Sequence, residues 1–109
     1  MKTLHLPLKK EWYDMIERGV KTEEYREIKP YWINRLLKYG DIWGSIKDII
    51  RLGSIGMLIF KDYEKVKFSY GYTKRTMTFR IKYIMVGKGR KEWGAPDEDV
   101  FIINLGERI

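Results

Sequence analysis

The stretch GVKTEEYRE, residues 19–27, decides how the chain is organised, because a helical pattern ends at its glycine and a strand pattern follows. Val20, Thr22 and Tyr25 are residue types that favour β-strands. Five of the nine residues are nevertheless charged. We therefore predict a strand over about residues 21–28. Its charges either face solvent along a sheet edge or converge on a ligand.

The residues before this stretch predict a strand followed by a helix. TLHLPL, residues 3–8, has leucine at every second position, which predicts a half-buried strand. Pro7 lacks the N–H that a central strand needs, so we expect Pro7 to lie on an edge strand or at the end of its strand. Residues 9–18 switch to helical spacing, and Gly19 suits the position after a helix. The apolar stripe of this helix is predicted at Trp12, Met15 and Ile16.

The residues after it predict a second helix and then a series of strands. Pro30 and Gly40 bracket a helical pattern, and residues 41–60 indicate a short helix followed by a strand or packed loop. Further alternating or buried strands are predicted at 64–72, 76–86 and 100–105, with a turn at 73–75 and a loop at 87–99. This order predicts a single α+β domain over residues 1–109: a small mixed, barrel-like sheet flanked by two or three helices.

The two central strands are expected to form a hairpin with an apolar inner side and a basic outer side. The inward side chains are predicted to be Val66, Phe68, Tyr70 and Tyr72 on the first strand and Met77, Phe79, Ile81 and Tyr83 on the second. The basic residues between them then share one surface.

Composition restricts the class of protein. The chain has 109 residues, 44% of them hydrophobic, which is enough for one core. It has no cysteine, which excludes disulfides and thiolate zinc sites, and its one histidine, His5, excludes a two-histidine metal site. No apolar run reaches the length of a membrane span. We expect a cytoplasmic protein with no membrane contact, metal or cofactor.

Positive charge is concentrated in one part of the chain. The net charge is +7, and residues 65–91 hold nine basic residues and no acidic one. This predicts a polyanionic partner, although a lysine-rich sheet face that prevents edge aggregation has the same pattern. The residues expected to contact a nucleic-acid backbone are Lys67, Arg75, Arg80, Lys82, Lys88, Arg90 and Lys91. The glycines of GKGRK, residues 87–91, also suit a phosphate-binding turn.

The charges of the opening stretch have two explanations. In a strand, Glu24 and Arg26 point to one face, whereas Lys21 follows a turn and need not obey the alternation. Together they suit a phosphate, which Arg26 binds as a fork and Lys21 as a point charge. The alternative is an ion-pair ladder that only stabilises the strand. Glu23 and Glu27 are expected on the solvated side.

The spacing Gly19-x-Lys21-x-x-Glu24-x-Arg26 resembles the G-x-K-x-x-E-x-R signature of the ASCH domain family, a branch of the PUA-like superfamily. Lys9 lies where that family usually carries a basic residue before its first helix. The resemblance covers nearly the whole chain, and residues 41–60 look like an insertion. It implies a small β-barrel flanked by helices that binds RNA or a nucleotide-like ligand.

Three functions follow as hypotheses. For RNA or modified-nucleotide binding, the expected ligand-binding residues are Lys9, Lys21, Glu24, Arg26, Tyr72, Lys74 and Trp93, with the Tyr31–Trp32 pair and Trp93 as platforms for a base. Some family members look like amidohydrolases acting on N4-acetylcytidine or like nucleases. For such an enzyme Lys21 and Glu24 are the catalytic candidates, although the amidohydrolase pattern has threonine where this chain has Glu24. The third hypothesis is a protein-interaction module, with a dimer surface in residues 41–60.

Overall fold

The computed structural model describes residues 2–109, apart from the side chain of Asp41. The described chain contains strands β1 (Lys2–Leu8), β2 (Glu23–Glu27), β3 (Tyr63–Tyr70), β4 (Thr76–Lys88) and β5 (Asp99–Arg108), and helices α1 (Lys10–Glu17), α2 (Pro30–Leu36) and α3 (Ile46–Ser54). The strands form one mixed sheet in the order β1-β3-β4-β5-β2. The predicted α+β class is therefore confirmed.

The chain divides into two compact units, and strands β2, β4 and β5 contribute residues to both. Unit 1 consists of Met1–Glu24, Asp62–Tyr83 and Ile103–Ile109. Unit 2 consists of Tyr25–Lys61 and Ile84–Ile102.

Unit 1 is organised by three paired strands whose alternate side chains are buried. β1 runs parallel to β3, and β3 runs antiparallel to β4. The predicted alternation is confirmed at the buried residues Leu4, Leu6, Leu8, Val66, Phe68, Met77 and Phe79. β1 is an outer strand of the sheet, which agrees with Pro7 at an edge.

Two tyrosines predicted to point inward on the hairpin do not. Tyr72 lies beyond the end of β3, in the turn where Gly71 has a φ of 57°, and is 97% exposed. Tyr83 lies on the long strand β4, where burial changes from odd-numbered positions such as Phe79 to the even-numbered Val86. Between them the strict period of two is lost, and Tyr83 is left 55% exposed.

Helix α1 buries Ile16, as predicted, but the rest of its buried stripe differs from the prediction. Tyr13 and Ile16 are buried, whereas Trp12 and Met15 are only half-buried. The ring of Tyr13 packs edge-on against Tyr70 of β3, with 5.2 Å between centroids. This contact turns the helix so that position 13, and not 12, faces the core. The helix ends at Glu17, and Gly19 follows its C-cap, as predicted, with a φ of 78° that suits glycine.

Arg75 links the β3–β4 turn to α1. Its guanidinium lies 5.1 Å from the ring centroid of Tyr13 and 4.9 Å from that of Tyr70, within cation–π range. The same group donates a 2.8 Å hydrogen bond to Oε1 of Glu17, which raises the pKa of Arg75. Arg75 therefore helps to hold the turn against the helix.

Helix α2 of unit 2 begins where the sequence predicts, but it ends earlier than predicted. α2 has Pro30 in its first turn, but it stops at Leu36 because Leu37 adopts an extended backbone and forms a β-bridge with Phe60. Phe60 in turn packs edge-on against Phe101, with 6.1 Å between ring centroids. The bridge is a long-range contact that the helical pattern of 31–39 does not encode.

Residues 41–60 contain the predicted short helix and an extended segment. A capping box starts α3: Asp48 N–H donates to Ser45 Oγ, and Ser45 N–H donates to the Asp48 carboxylate. The surrounding segment exposes several large apolar side chains, namely Ile42, Ile46, Ile55, Met57 and Ile59. A dimer surface here stays a prediction. Among residues 2–109, no helix is long and apolar enough to span a membrane.

The capping box predicts a pH-dependent contribution to stability. Hydrogen bonds from the Ser45 N–H and hydroxyl hold the pKa of Asp48 below its ordinary value of 3.8. The stabilisation by the Asp48 carboxylate is therefore fully present above pH 3.8, the ordinary pKa. It is lost as the pH falls through the lowered pKa of the folded state. We expect Asp48→Asn to lower the urea midpoint at neutral pH and to differ less from wild type in strong acid. An equal difference at both pH values would contradict this.

Candidate ligand-binding site

Lys21 and Glu24, the centre of the predicted site, form a buried ion pair in unit 1. The Nζ atom of Lys21 lies 2.7 Å from Oε1 of Glu24, and the two side chains are only 1% and 6% exposed. The same Nζ lies 5.0 Å from the ring centroid of Trp12. Both charges are therefore enclosed by protein and compensate each other, and the Trp12 ring additionally stabilises the ammonium of Lys21.

The local backbone explains why these two side chains meet. The N–H groups of Val20 and Lys21 both donate to the carbonyl of Met15, so the chain turns tightly at the end of α1. Lys21 precedes the first residue of β2, Glu23, and does not follow the alternation of the strand. The geometry of the pair is that of a structural ion pair. Its burial restricts the access of a ligand to either charge.

Arg26, two residues further along β2, belongs to unit 2 and contacts aromatic side chains there. Its Nη1 donates a 2.6 Å hydrogen bond to the carbonyl of Tyr25, and its guanidinium lies 5.2 Å from the ring centroid of Trp32. The guanidinium of Arg35 lies 5.7 Å from the same ring. The Trp32 ring therefore makes cation–π contacts with two arginine side chains.

The predicted Tyr31–Trp32 platform has a geometry that does not suit continuous stacking. The two rings are perpendicular, at 89°, with 4.8 Å between centroids. The hydroxyl of Tyr31 accepts a hydrogen bond from Arg35 at 2.9 Å. These side chains form an Arg–aromatic cluster, and not two coplanar surfaces on which successive bases stack.

A groove of about 300 Å³ lies beside Arg26. Its lining consists of Tyr25, Arg26, Glu27, Trp32, Gly94, Pro96 and Val100, all in unit 2. Glu27 is exposed, as predicted, but it lines this groove as well. Its role was missed because nothing distinguishes its carboxylate from that of Glu23 in the sequence. Glu23 itself is half-buried and not fully solvated.

Trp93, predicted as a ligand-binding residue, contributes to packing. It packs against a buried cluster of Tyr25, Ala95, Val100 and Ile102. The guanidinium of Arg90 lies 4.7 Å from its ring centroid. The structure therefore gives Trp93 and Arg90 a contact with each other, in the loop that supports the groove.

The GKGRK stretch uses its glycine and backbone for packing. Arg90 N–H donates to the hydroxyl of Tyr25 at 3.1 Å, and the carbonyl of Arg90 accepts from Trp93 and Ala95. A Cβ atom on Gly89 would lie 2.5 Å from Cε1 of Tyr25 and 2.7 Å from Cβ of Ala95. Close packing against Tyr25 and Ala95 is enough to explain why position 89 is a glycine, so no bound phosphate is needed. The backbone N–H of Arg90 already donates to the hydroxyl of Tyr25.

Several of the predicted backbone-binding cations have acidic partners from elsewhere in the chain. Arg75 pairs with Glu17 at 2.8 Å and Arg80 with Glu107 at 3.1 Å. Lys88 and Lys91 lie 4.0 and 3.9 Å from the carboxylate of Asp97. The expectation of an unopposed basic stretch is therefore only partly met, because folding brings to it the distant carboxylates of Glu17 and Glu107 and the nearby one of Asp97.

The remaining predicted residues lie on surfaces. Lys67 is half-buried on β3, and Lys82 is exposed on β4. Lys74 is exposed in the same turn as Tyr72. Lys9 precedes α1 and lines a depression along that helix with Met15 and Arg18. Within residues 2–109 no cluster of three or more histidine or acidic side chains is placed to hold a metal ion.

Comparison with known proteins gives no match to any family model, curated protein or solved structure. The ASCH resemblance therefore stays a prediction that depends on the motif and its strand-helix-strand context.

Removing one member of the buried pair should be more costly than removing both. We expect Lys21→Met to lower the free energy of unfolding by about 3–5 kcal/mol, because it leaves the Glu24 carboxylate buried without this partner. The double variant Lys21→Met/Glu24→Leu should recover part of that loss. Urea unfolding of the double-mutant cycle measures both. A single-variant loss below about 1 kcal/mol, as for an exposed pair, would contradict the burial.

Gly89 and Gly87 offer a matched test of the packing explanation. Gly89→Ala should lower the free energy of unfolding by about 1–3 kcal/mol because its methyl group overlaps Tyr25 and Ala95. At Gly87 a Cβ atom meets only Met85 and Ile102, at 3.5 and 3.6 Å, so Gly87→Ala should be tolerated. Thermal unfolding of both variants provides the comparison. Equal stability of the two variants would remove the packing explanation.

Proposed function

We propose that this protein binds RNA or a modified nucleotide as a PUA-like ASCH domain. The order of elements supports the family part of the proposal, since a strand, a helix and a second strand surround the motif residues Gly19–Arg26. The five-stranded mixed sheet with three helices is compatible with a PUA-like barrel. The binding part is carried by a separate observation, the basic face of unit 1.

The strand register places several cations on one side of the sheet. His5 is opposite Lys67, and Lys67 is opposite Thr78; Thr3, Lys65 and Arg80 form the next row. Directly opposed residues project to the same face of a sheet. Because Leu6, Phe68 and Met77 fill the buried face, these rows form the other face.

Lys82 extends this surface along β4. A Cβ atom on Gly106 would lie 3.4 Å from Cβ of Arg80 and 3.5 Å from Cγ of Lys82, so both side chains lie over the same glycine. We name Lys65, Lys67, Arg80 and Lys82 the basic face. Among the residues that the structure describes, Lys65, Lys67 and Lys82 take part in no ion pair. Their charge is therefore available to phosphates.

Binding is favoured over hydrolysis by the state of the Lys21–Glu24 pair. A general base or nucleophile has to reach the reacting atom, whereas both side chains of this pair are buried and engaged with each other. A hydrolase acting on N4-acetylcytidine-like nucleosides or on RNA stays the second hypothesis. It requires the pair to become accessible when substrate binds.

Binding to the basic face should depend on salt. We expect labelled single-stranded RNA to bind with an affinity that falls steeply as salt rises, because each neutralised phosphate releases counterions. Lys65→Gln/Lys67→Gln should reduce the slope of log K against log salt by about 1.4, at about 0.7 for each lost contact. Fluorescence anisotropy across a salt series measures the slope.

The control is Lys29→Gln/Lys47→Gln, which removes the same charge from two exposed lysines of unit 2. This control should retain the wild-type slope. Salt-independent affinity, no binding, or an equal effect of both double variants would contradict the proposal. Cleavage of the labelled RNA, or deacetylation of N4-acetylcytidine, would favour the hydrolase hypothesis.

A further inference from the structure

We propose that Tyr83 and Asn104 form a binding site for one unpaired base beside the basic face of unit 1. This inference rests on the proposed function and names its substrate class, which is single-stranded RNA and not a duplex. Both residues belong to unit 1, as do the residues of the basic face.

Two contacts show how β5 lies against β4 in unit 1. The N–H of Ile109, directly after β5, donates to the carbonyl of Thr78 at 2.9 Å. Nearer the middle of β5, a Cβ atom on Gly106 would meet the side chains of Arg80 and Lys82. Residue numbers therefore rise along β5 as they fall along β4, and the two strands are antiparallel.

This register places Asn104 level with Tyr83. Asn104 lies five residues before Ile109, and Tyr83 lies five residues after Thr78. Residues that are opposite each other on neighbouring strands project to the same face of the sheet. Asn104 also shares its face with Gly106, two residues further along β5, over which two cations of the basic face lie. The two residues therefore border that face.

The ring of Tyr83 is open to a ligand. It is 55% exposed, and within residues 2–109 it makes no contact with another aromatic ring or with a cation. Lys82, which precedes it, is exposed as well, because the alternation of β4 is lost at this point. A tyrosine ring stacks on the face of any base, and a neighbouring lysine can bind the phosphate of the same nucleotide.

The amide of Asn104 carries a buried donor that the fold does not satisfy. Asn104 is only 9% exposed, and its Nδ2 has no hydrogen-bond partner among the residues that the structure describes. Such donors are rare in native proteins, because burial removes the hydrogen bonds that they make to water. The χ2 torsion of asparagine is soft, so the amide can turn its NH2 group toward an acceptor on a ligand.

An amide matches the edge of an unpaired base. It carries one donor group and one acceptor side by side, and the Watson–Crick edge of each of the four bases also presents an adjacent donor and acceptor. In a duplex the complementary base occupies that edge, and stacked neighbours cover the faces. Stacking on Tyr83 with a bond to Asn104 is therefore restricted to unpaired bases, which are the usual targets of base recognition in RNA.

The experiment compares three labelled ligands of equal length by fluorescence anisotropy at one salt concentration. They are a single-stranded RNA, the same strand annealed to its complement, and an abasic strand. Phosphate contacts alone favour the duplex, because its charge density is higher. We expect the single strand to bind more tightly than the duplex, and at least about tenfold more tightly than the abasic strand, which is the scale of one stacked base.

Tyr83→Leu should reduce the affinity for the single strand by about tenfold and leave the affinities for the duplex and the abasic strand unchanged. Tyr83→Phe should retain the preference, because the ring remains. Asn104→Leu, of similar volume, should also weaken single-strand binding, and circular dichroism shows whether this buried position tolerates the change. The matched control is Tyr39→Leu, at an exposed tyrosine of unit 2, which should bind all three ligands like the wild type.

Equal affinity for the single strand and the abasic strand, or equal effects of Tyr83→Leu and Tyr39→Leu, would overturn the inference. If the abasic strand and the duplex then still bind in a salt-dependent manner, the proposed function stands. Wild-type binding by a folded Asn104→Leu variant would remove the amide from the site and overturn the inference for that residue. Failure of all three ligands to bind would contradict the proposed function and the inference together.

Discussion

The register of β1, β3 and β4 is the constraint on which unit 1 depends. Leu6, Phe68 and Met77 form one buried row across the three strands, and Leu4, Val66 and Phe79 form the next. Because side chains alternate, a slip of β3 by one residue would bury Lys65 and Lys67 and expose Val66 and Phe68. The hydrophobic effect therefore sets the register, and the register places the cations on the opposite face.

The charges of the Lys21–Glu24 pair, in contrast, are buried and do not face solvent. A buried ion pair gains little net stability over an apolar pair of equal size, because both ions lose their hydration. It does, however, penalise any arrangement that separates the two charges. The pair therefore ties the start of β2 to the turn after α1. Whether a motif is structural or functional depends on this burial, and the motif spacing is the same in either case.

The strands and the start of α2 were predictable because they depend on local patterns. Alternation at β1 and β3, and Pro30 and Gly19 at helix ends, are determined within a few residues. The early end of α2 was not predictable, because it depends on the bridge between Leu37 and Phe60. The stripe of α1 likewise depends on the ring of Tyr70, more than fifty residues away in the chain. At both places long-range packing outweighs the local helix propensity of the sequence.

The sequence by itself determined the α+β class, the alternation that separates apolar from basic side chains, and the concentration of positive charge between residues 65 and 91. Only the tertiary structure decided which of those charges remain unpaired, since Glu17 and Glu107 reach them from distant parts of the chain and Asp97 reaches them from the loop that follows. It also decided that Arg26 and Glu27 line one groove with Trp32 and Pro96. The physical reason is that charge pairing and pocket shape depend on distances in space, whereas a sequence specifies only distances along the chain.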